Sequence, residues 1–311
     1  MSDDLKIIYH QPLFKLLQQA RGVFLQHWKE DEIQLCRLLS IKTGGCSEDC
    51  GYCSQSAHYK TGVEAGKLMT TEEILPFAKR AKEEGAARFC MGAAWKGVRE
   101  NDPRFESVLE TVRAVSQCGI EACVTLGELS EEAARRLKEA GLTSYNHNID
   151  TSPDYYSNVV GSHSFGDRLR TIRAVQKAGI SLCCGGIIGM GEKVEDRLKM
   201  LDILRGFDPP PGSVPINILS PVAGTPMENQ LPMDVFDVVR MIATARVALP
   251  KTRVRLSAGR SKLSREAQAL CFFAGANSIF FGEKLLTADN AKESDDMTLL
   301  RELGLKPQAS S

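Results

Sequence analysis

Strand-like and helix-like segments alternate along most of this chain, and that alternation constrains the fold more than any other feature. From about residue 36 onward, short β-rich runs are separated by amphipathic stretches of helical period. The runs predict eight strands, at residues 36–43, 87–93, 121–126, 144–150, 181–188, 214–219, 253–257 and 278–281. Several helical stretches begin at a Ser, Thr or Asp cap and end at glycine. They include residues 70–85, 105–119, 130–141 and 165–179.

Eight strands that alternate with helices predict an α/β fold, a (β/α)₈ TIM-type barrel. Such barrels usually take about 250 residues, which suits a chain of 311. A doubly wound sheet is the alternative, although it usually needs fewer repeats. We predict a single domain over residues 1–311, in which 1–35 form an N-terminal helical extension, 36–287 the barrel, and 288–311 a C-terminal helix and tail.

The overall composition argues against several classes of partner. Hydrophobic residues make up 43% of the chain and charged residues 25%, which is usual for a globular protein in water. The formal net charge is zero, so bulk charge gives no attraction to nucleic acid or to a membrane surface. No apolar run approaches the roughly 18 residues of a membrane span, and the first residues lack the pattern of a signal peptide. We therefore expect a cytoplasmic protein without a nucleic-acid or membrane partner.

Three cysteines are closely spaced just after the first predicted strand. Cys46, Cys50 and Cys53 form a C-x₃-C-x₂-C pattern, which we call the three-cysteine loop. Disulfides are rare in a reducing compartment, so metal or cluster ligation is the better explanation for thiols at this spacing. A [4Fe–4S] cluster normally takes four cysteines, and three local ones would leave one iron open to another ligand. The alternative is a zinc site with a distant fourth ligand, for which His58 is a candidate.

Three further cysteines and one arginine lie at similar heights in four different predicted strands. They are Cys90, Cys123, Cys183 and Arg255. Strand side chains alternate between the two faces, so all four could point into the barrel and meet around one buried point. Core packing is the alternative for each cysteine, because cysteine is a common buried residue. A buried arginine, however, needs a partner for its charge, and a cluster anion held by thiolates would be one.

Polar side chains gather at the carboxyl end of the predicted fourth strand. Asn146, Asn148 and Asp150 share one face of it, and Asn217 lies in the sixth strand. Buried polar groups need partners, so ligands or waters are expected there. The alternative for Asn217 is a strand-end amide that caps a loop. The glycine-rich stretch 185–192 is a weak signal by itself.

Several blocks of the sequence resemble a known family. A C-x₃-C-x₂-C loop after the first strand of a βα barrel is the signature of the radical S-adenosylmethionine (AdoMet) superfamily. The chain further resembles the biotin synthase family over nearly its whole length, in the blocks SIKTGGCSEDCGYCSQS, RFCMGAAW, YNHNIDTS, VPINIL, VRLSAGR and AGANSIFFG. The loop alone indicates only the superfamily, whereas YNHNIDTS together with VRLSAGR is specific to the family.

This resemblance implies an enzyme that inserts sulfur into dethiobiotin to form the thiophane ring of biotin. It implies that Cys46, Cys50 and Cys53 hold a [4Fe–4S] cluster whose open iron binds AdoMet, the source of a 5′-deoxyadenosyl radical. It also implies a [2Fe–2S] cluster that supplies the sulfur. The ligands implied for this second cluster are Cys90, Cys123, Cys183 and Arg255. Arg88 is expected to face the same interior and to help fix Arg255.

The resemblance also implies how the small molecules are held. Tyr52 matches the position that packs near the AdoMet adenine, and Asp150 matches the position that contacts the AdoMet ribose. Asn148 is expected to contact dethiobiotin, and Asn217 to lie between the AdoMet ribose and the substrate ureido ring. Thr287 matches the position near the substrate carboxylate. The implied partners are a one-electron reductant of the flavodoxin or ferredoxin type, the iron–sulfur assembly machinery and a second copy of the chain in a homodimer.

Other hypotheses compete with this one. A sister radical AdoMet enzyme, such as a methylornithine synthase or a hydrogenase maturase, would share the barrel and the three-cysteine loop but not the full second ligand set. A non-catalytic iron–sulfur carrier or a zinc-stabilised scaffold would not need the polar strand ends. Four cysteines are not assigned as ligands: Cys36, Cys118, Cys184 and Cys271.

Overall fold

Parallel strands close into a barrel in a computed structural model of the protein, which describes residues 3–282 and 284–308. The strands are β1 (Glu32–Lys42), β2 (Arg88–Ala93), β3 (Glu121–Thr125), β4 (Ser144–Asn146), β5 (Ser181–Cys183), β6 (Gly186–Ile188), β7 (Ser213–Ile218), β8 (Arg253–Leu256), β9 (Ser278–Phe280) and β10 (Lys306–Pro307). Neighbouring strands pair in chain order. Both β5 and β6 pair with β7, and β9 closes the barrel by pairing with β1. The predicted eight-stranded TIM-type barrel is confirmed, and the doubly wound alternative is wrong.

Helices surround this barrel and begin where the sequence supplies caps. They are α1 (Asp3–Tyr9), α2 (Leu13–His27), α3 (Thr71–Glu83), α4 (Pro103–Gln117), α5 (Glu131–Glu139), α6 (Phe165–Lys177), α7 (Val194–Arg205), α8 (Val235–Ala248), α9 (Arg265–Phe273) and α10 (Glu293–Glu302). Thr70 and Glu73 form a reciprocal capping box at the start of α3, which satisfies two backbone N–H groups that have no partner within the helix. In the described part of the chain, no helix has the length and apolarity to cross a bilayer.

The hydrophobic core lies between the outer face of the sheet and the helices. Phe89 and Met91 of β2 point outward into this core, whereas their neighbours Arg88 and Cys90 are buried on the other face. This alternation follows from the two-residue period of a strand. It leaves the barrel interior with sulfur and polar groups, which need partners of their own.

Strand boundaries differ from the prediction in three places. The first strand begins at Glu32 rather than at residue 36, and β10 pairs alongside its first residues. The predicted strand 181–188 is interrupted at Gly185, where a side chain would collide with the Pro215 carbonyl of the neighbouring strand. Strand β4 ends at Asn146, four residues before the predicted end, but backbone hydrogen bonds to the neighbouring segment continue as far as Asp150. The predicted terminal segments also include residues 1, 2 and 309–311, which lie outside the described residues.

Candidate active site at the carboxyl ends of the strands

The three-cysteine loop is anchored by the two acidic residues between its first and second cysteines. The Asp49 carboxylate accepts hydrogen bonds from the backbone N–H groups of Gly161 and Ser162, at 3.0 and 2.8 Å. Buried Glu48 contacts the imidazole of His163, and its other oxygen lies 3.0 Å from Nζ of Lys96. These contacts tie the loop to the segment that precedes α6, so the spacing of the thiols is held from outside the loop.

Burial governs the chemistry of the three thiols. Cys50 is buried, while Cys46 and Cys53 are partly exposed. Burial raises the pKa of each of them above the ordinary value of a thiol. A thiolate is the form that binds metal, so metal binding at this loop has to release protons.

The loop's donors suit a cluster better than a single ion. Among the residues that the structure describes, no three His, Cys, Asp or Glu side chains are near enough together to share one metal ion. His58, the candidate fourth zinc ligand, is exposed, and its Nε2 lies 3.1 Å from the carbonyl oxygen of Ser47.

Asp150 sits in a left-handed turn at the point where the chain leaves β4. Its φ is +63°, a conformation that aspartate tolerates better than most residues. The side chain is buried, accepts a hydrogen bond from Arg168 Nη2 at 3.1 Å, and lies near the hydroxyl of Tyr52. Burial raises the pKa of Asp150, although the Arg168 charge and the Tyr52 hydroxyl oppose the rise. The structure thus places Tyr52 of the three-cysteine loop against Asp150 of the barrel.

Three asparagine amides line the neighbouring strand ends. Asn146 Nδ2 lies 3.3 Å from Sγ of Cys183, and Asn148 Oδ1 accepts from the backbone N–H of Gly185 at 3.1 Å. Asn217 donates to the carbonyl of Gly186 at 3.0 Å. Asn148 Nδ2 has no hydrogen-bond partner within residues 3–282 and 284–308, and its side chain is only partly buried. This amide group is available to a ligand.

Thr287 is far from these asparagines in the sequence. In the structure it lies at the rim of the barrel, beside the three-cysteine loop. Its hydroxyl is 2.8 Å from that of Ser54, and both groups are accessible to solvent. The segment around Thr287 also reaches inward, because Leu286 occupies the space that a side chain at Gly92 would fill. The segment around Thr287 therefore covers part of the barrel mouth.

The predicted cysteines of the barrel strands converge on the interior. Cys90 and Cys123 are direct neighbours in the β2–β3 register, and their side chains pack together. Cys183 lies across the barrel, with Nη1 of Arg255 at 3.7 Å from its sulfur. All four side chains are at most 5% exposed, so the group is closed to bulk water. Nearby, the hydroxyls of Ser144 and Ser257 are buried without a partner in the described chain.

Arg255 is positioned by different residues from those expected. Its Nε donates to the Ser278 hydroxyl at 2.9 Å, and that hydroxyl donates to Gln34 Oε1 at 3.0 Å. Arg88, which was expected to fix it, faces the same interior but donates to Glu121 at 2.8 Å and to Ser213 at 3.3 Å. Two buried guanidinium groups therefore border the barrel cysteines.

A fourth thiol in this interior was not assigned from the sequence. Cys36 of β1 is fully buried and packs with Cys90 and Cys123. Its place early in the first strand already allowed an inward direction, and only a ligand role was not assigned to it. Arg168 and His163 were also missed, because both lie outside the strands and nothing in their local sequence marks them.

Comparison with known families agrees with this geometry. The profile of the Radical SAM superfamily matches residues 40–204, and that of the Biotin and Thiamin Synthesis associated domain matches residues 215–306. The biotin synthase of Methylobacterium sp. (strain 4-46) is 56% identical over 98% of this chain and 92% of its own length. That of Myxococcus xanthus is 53% identical over 98% and 88%. Biotin synthase 2 of Paracoccus denitrificans is 54% identical over 97% and 95%.

Solved structures share the barrel at much lower sequence identity. A methylornithine synthase superimposes with a TM-score of 0.81 at 19% identity, over 98% of this chain and 93% of that one. An FeFe-hydrogenase maturase from Carboxydothermus hydrogenoformans gives 0.83 at 19% identity, over 99% and 75%. At this identity the likeness concerns the fold alone, so it does not favour the activity of either protein.

Proposed function

The chain belongs to the biotin synthase family, and we propose that its two groups of cysteines each hold one of two iron–sulfur clusters. The protein is a radical AdoMet sulfurtransferase that inserts sulfur into dethiobiotin. A [4Fe–4S] cluster and AdoMet are its cofactors, as membership of the radical AdoMet superfamily implies. The assignment of ligands, the second cluster and the binding residues form the rest of the proposal.

Cys46, Cys50 and Cys53 are the proposed ligands of the [4Fe–4S] cluster. When bound, this cluster and AdoMet supply a 5′-deoxyadenosyl radical, which is reactive enough to remove hydrogen from an unactivated carbon. Glu48 and Asp49 hold the loop in place through His163, Lys96 and the backbone at residues 161–162. Tyr52 and Asp150 are the proposed AdoMet contacts at the adenine and the ribose. Arg168 keeps the Asp150 carboxylate oriented from outside the barrel.

The barrel cysteines are the proposed site of a sacrificial [2Fe–2S] cluster. Its ligands are Cys90, Cys123, Cys183 and Arg255. The observation that carries this proposal is the convergence of these buried side chains on one interior point, next to the unpartnered hydroxyls of Ser144 and Ser257. Thiolates are the usual ligands of iron–sulfur clusters, and a closed interior keeps water away from reactive intermediates.

The substrate is proposed to lie between the two cysteine groups. Asn148 offers its Nδ2 group. The Asn217 amide lies beside the start of β6, where it bonds to the Gly186 carbonyl and the Ala258 N–H, and its remaining donor and acceptor capacity suits a ureido ring. Thr287 is the proposed contact for the carboxylate at the barrel mouth, where it lies beside Ser54.

The chemistry also implies partners. Reductive cleavage of AdoMet consumes an electron, which we propose comes from a flavodoxin or ferredoxin type of protein. A cluster that loses sulfur has to be rebuilt, which implies contact with the iron–sulfur assembly machinery. We further propose a cytoplasmic location, because free cysteines suit a reducing compartment, and a homodimer, as the resemblance to the family implies.

Iron and sulfide analysis after anaerobic reconstitution tests the proposal. About six irons per chain, with matching sulfide, are expected for one [4Fe–4S] and one [2Fe–2S] cluster. About four irons would leave only the first cluster and contradict the barrel assignment. Zinc without sulfide would contradict both. The same preparation should convert dethiobiotin to biotin when supplied with AdoMet and a reductant.

A further inference from the structure

The sulfur of Cys183 accepts a hydrogen bond from an amide of the neighbouring strand. Asn146 and Cys183 are paired in the β4–β5 register, so their side chains leave the sheet next to each other. Nδ2 of Asn146 lies 3.3 Å from Sγ of Cys183. Because Cys183 is only 1% exposed, bulk water does not take the place of this amide. The chain itself thus provides a fixed donor for one of the barrel sulfurs.

The surroundings of Asn146 fix which end of its amide faces the sulfur. The backbone N–H of Gly185 donates to Oδ1 of Asn148 at 3.1 Å, which identifies that oxygen as an acceptor. Nδ2 of Asn146 lies 3.4 Å from this oxygen and 3.4 Å from the Cys183 carbonyl. Two acceptors require a donor opposite them, so the nitrogen end of the Asn146 amide is the end that faces Sγ of Cys183.

The oxygen end of the same amide is held from strand β3. The hydroxyl of Thr125 donates to Oδ1 of Asn146 at 3.2 Å. A donor at the amide oxygen holds the plane of the amide in place and polarises it, which strengthens the bond that its N–H group donates. Thr125 and Asn146 therefore act as one hydrogen-bonded unit that ends at the sulfur of Cys183.

The other two proposed thiolate ligands of the barrel have different surroundings. Cys90 and Cys123 pack against the apolar side chains of Leu38 and Phe280. Within residues 3–282 and 284–308, no side-chain amide or hydroxyl donates a hydrogen bond to either of these sulfurs. The amide donor is therefore specific to the side of the barrel interior on which Cys183 lies.

We propose that Asn146 is a positioning residue of the barrel site, which donates a hydrogen bond to the Cys183 thiolate and makes a cluster bound there easier to reduce. This inference rests on the proposed function, in particular on Cys183 as a ligand of the second cluster. A hydrogen bond draws negative charge away from a ligand sulfur, and the reduction potential of an iron–sulfur cluster depends on such bonds. Reduction adds one electron from an external reductant, so the donor stabilises the reduced form more than the oxidised form.

Two variants remove this donor in different ways. Asn146→Leu replaces the amide by an apolar side chain of similar size, whereas Thr125→Val removes only the hydroxyl that holds the amide. Asn229→Leu, at an exposed position, is the control for the first variant. Thr244→Val is the control for the second, because Thr244 is buried on α8 and its hydroxyl has no partner in the described chain.

The readout is the reduction potential of the [2Fe–2S] cluster. Each full-length protein is reconstituted anaerobically with iron and sulfide and titrated with dithionite in the presence of redox dyes. Visible absorption follows the oxidised cluster, and electron paramagnetic resonance follows the reduced one. Iron analysis and far-UV circular dichroism confirm that each variant is loaded and folded. A role in folding alone would leave the potential of the loaded protein unchanged.

The potential is expected to become more negative in Asn146→Leu, because the charge of the Cys183 thiolate is then less well offset. The equilibrium constant for reduction should fall on the order of tenfold, as expected for one hydrogen bond to a charged group. Both controls should match the wild type. An unchanged or less negative potential, in an Asn146→Leu protein with about six irons, would overturn the inference and leave the second cluster intact. About four irons in the wild type would instead overturn the proposed second cluster.

Thr125→Val decides the case in which Asn146→Leu does not hold the barrel cluster. This variant keeps the Asn146 amide and loses only the bond to its oxygen, so the site is disturbed less. A smaller shift to a more negative potential, relative to Thr244→Val, is the expected result. A potential equal to that of Thr244→Val would then overturn the role of the amide as a donor to Cys183.

Discussion

Arg168 donates a hydrogen bond from Nη2 to Oδ2 of Asp150 over 3.1 Å, and through it helix α6 contacts the segment that follows strand β4. The aspartate is 1% exposed and sits in a left-handed turn, so it has few other ways to satisfy its charge. Arg168 Nε also donates to the hydroxyl of Tyr156 at 2.9 Å. One arginine on the outer layer thereby orients a carboxylate that we propose contacts AdoMet.

Replacement of Arg168 by Met is expected to destabilise the protein and to weaken AdoMet binding. Removing one partner of a buried ion pair costs about 3 kcal/mol, because the other charge is left buried and unpaired. Arg170→Met is the matched control, since Arg170 lies on the same helix but pairs with Asp167 at the surface, where a pair contributes at most about 1 kcal/mol. Denaturant unfolding and AdoMet titration give the two readouts. Equal losses in both variants would contradict the special role of Arg168.

Cys50→Ser is expected to abolish the formation of 5′-deoxyadenosine without unfolding the barrel. A hydroxyl is a poor replacement for a thiolate ligand, and the three-cysteine loop lies outside the main hydrophobic core. The same is expected of Cys46→Ser and Cys53→Ser. Product is measured by chromatography, with circular dichroism as the test of folding and Cys271→Ser as the control. Formation of 5′-deoxyadenosine at the wild-type rate in Cys50→Ser would refute the assignment of the first cluster.

Sulfur from the barrel cluster is expected to appear in biotin. The cluster is rebuilt with ³⁴S-labelled sulfide, excess sulfide is removed, and the mass of the biotin formed in a single turnover is measured. Biotin that carries only unlabelled sulfur would exclude the barrel cluster as the donor. Cys90→Ser, Cys123→Ser and Cys183→Ser should each lose biotin formation and keep the first cluster, because each removes a thiolate from the second site alone.

Arg260 of the VRLSAGR block is expected to act on stability and not on chemistry. Its guanidinium makes two hydrogen bonds with Asp296 of α10, at 2.7 and 2.5 Å, and both side chains are at most 3% exposed. Arg260→Met should therefore lower the free energy of unfolding by about 3–5 kcal/mol. Arg265→Met, which breaks an exposed pair with Glu302, should change it by less than about 1 kcal/mol. A loss of AdoMet cleavage per folded chain in Arg260→Met would speak against a purely structural role.

Local patterns were enough to predict much of the barrel. The period-two alternation around Cys90 and Cys123 indicated inward-facing side chains, and the structure puts the two residues opposite each other in the β2–β3 register. Boundaries were less predictable. The polar run after Asn146 resembles a strand in sequence, and it keeps backbone hydrogen bonds to the neighbouring segment until Asp150, where the chain takes a left-handed turn and the carboxylate accepts a hydrogen bond from Arg168.

The number and order of the βα units and the spacing of the three-cysteine loop depend on residues that are near one another in the chain, so they could be predicted from local patterns. The further groups that join Cys90, Cys123, Cys183 and Arg255 in the barrel interior became visible only in the folded barrel. Arg255 and Cys36 are 219 positions apart, and they meet because β9 closes the barrel against β1. Closure of the barrel sets the register in which β1 pairs with β9, and no local sequence pattern encodes that register. The fourth thiol beside the proposed second cluster is therefore a consequence of the closed fold.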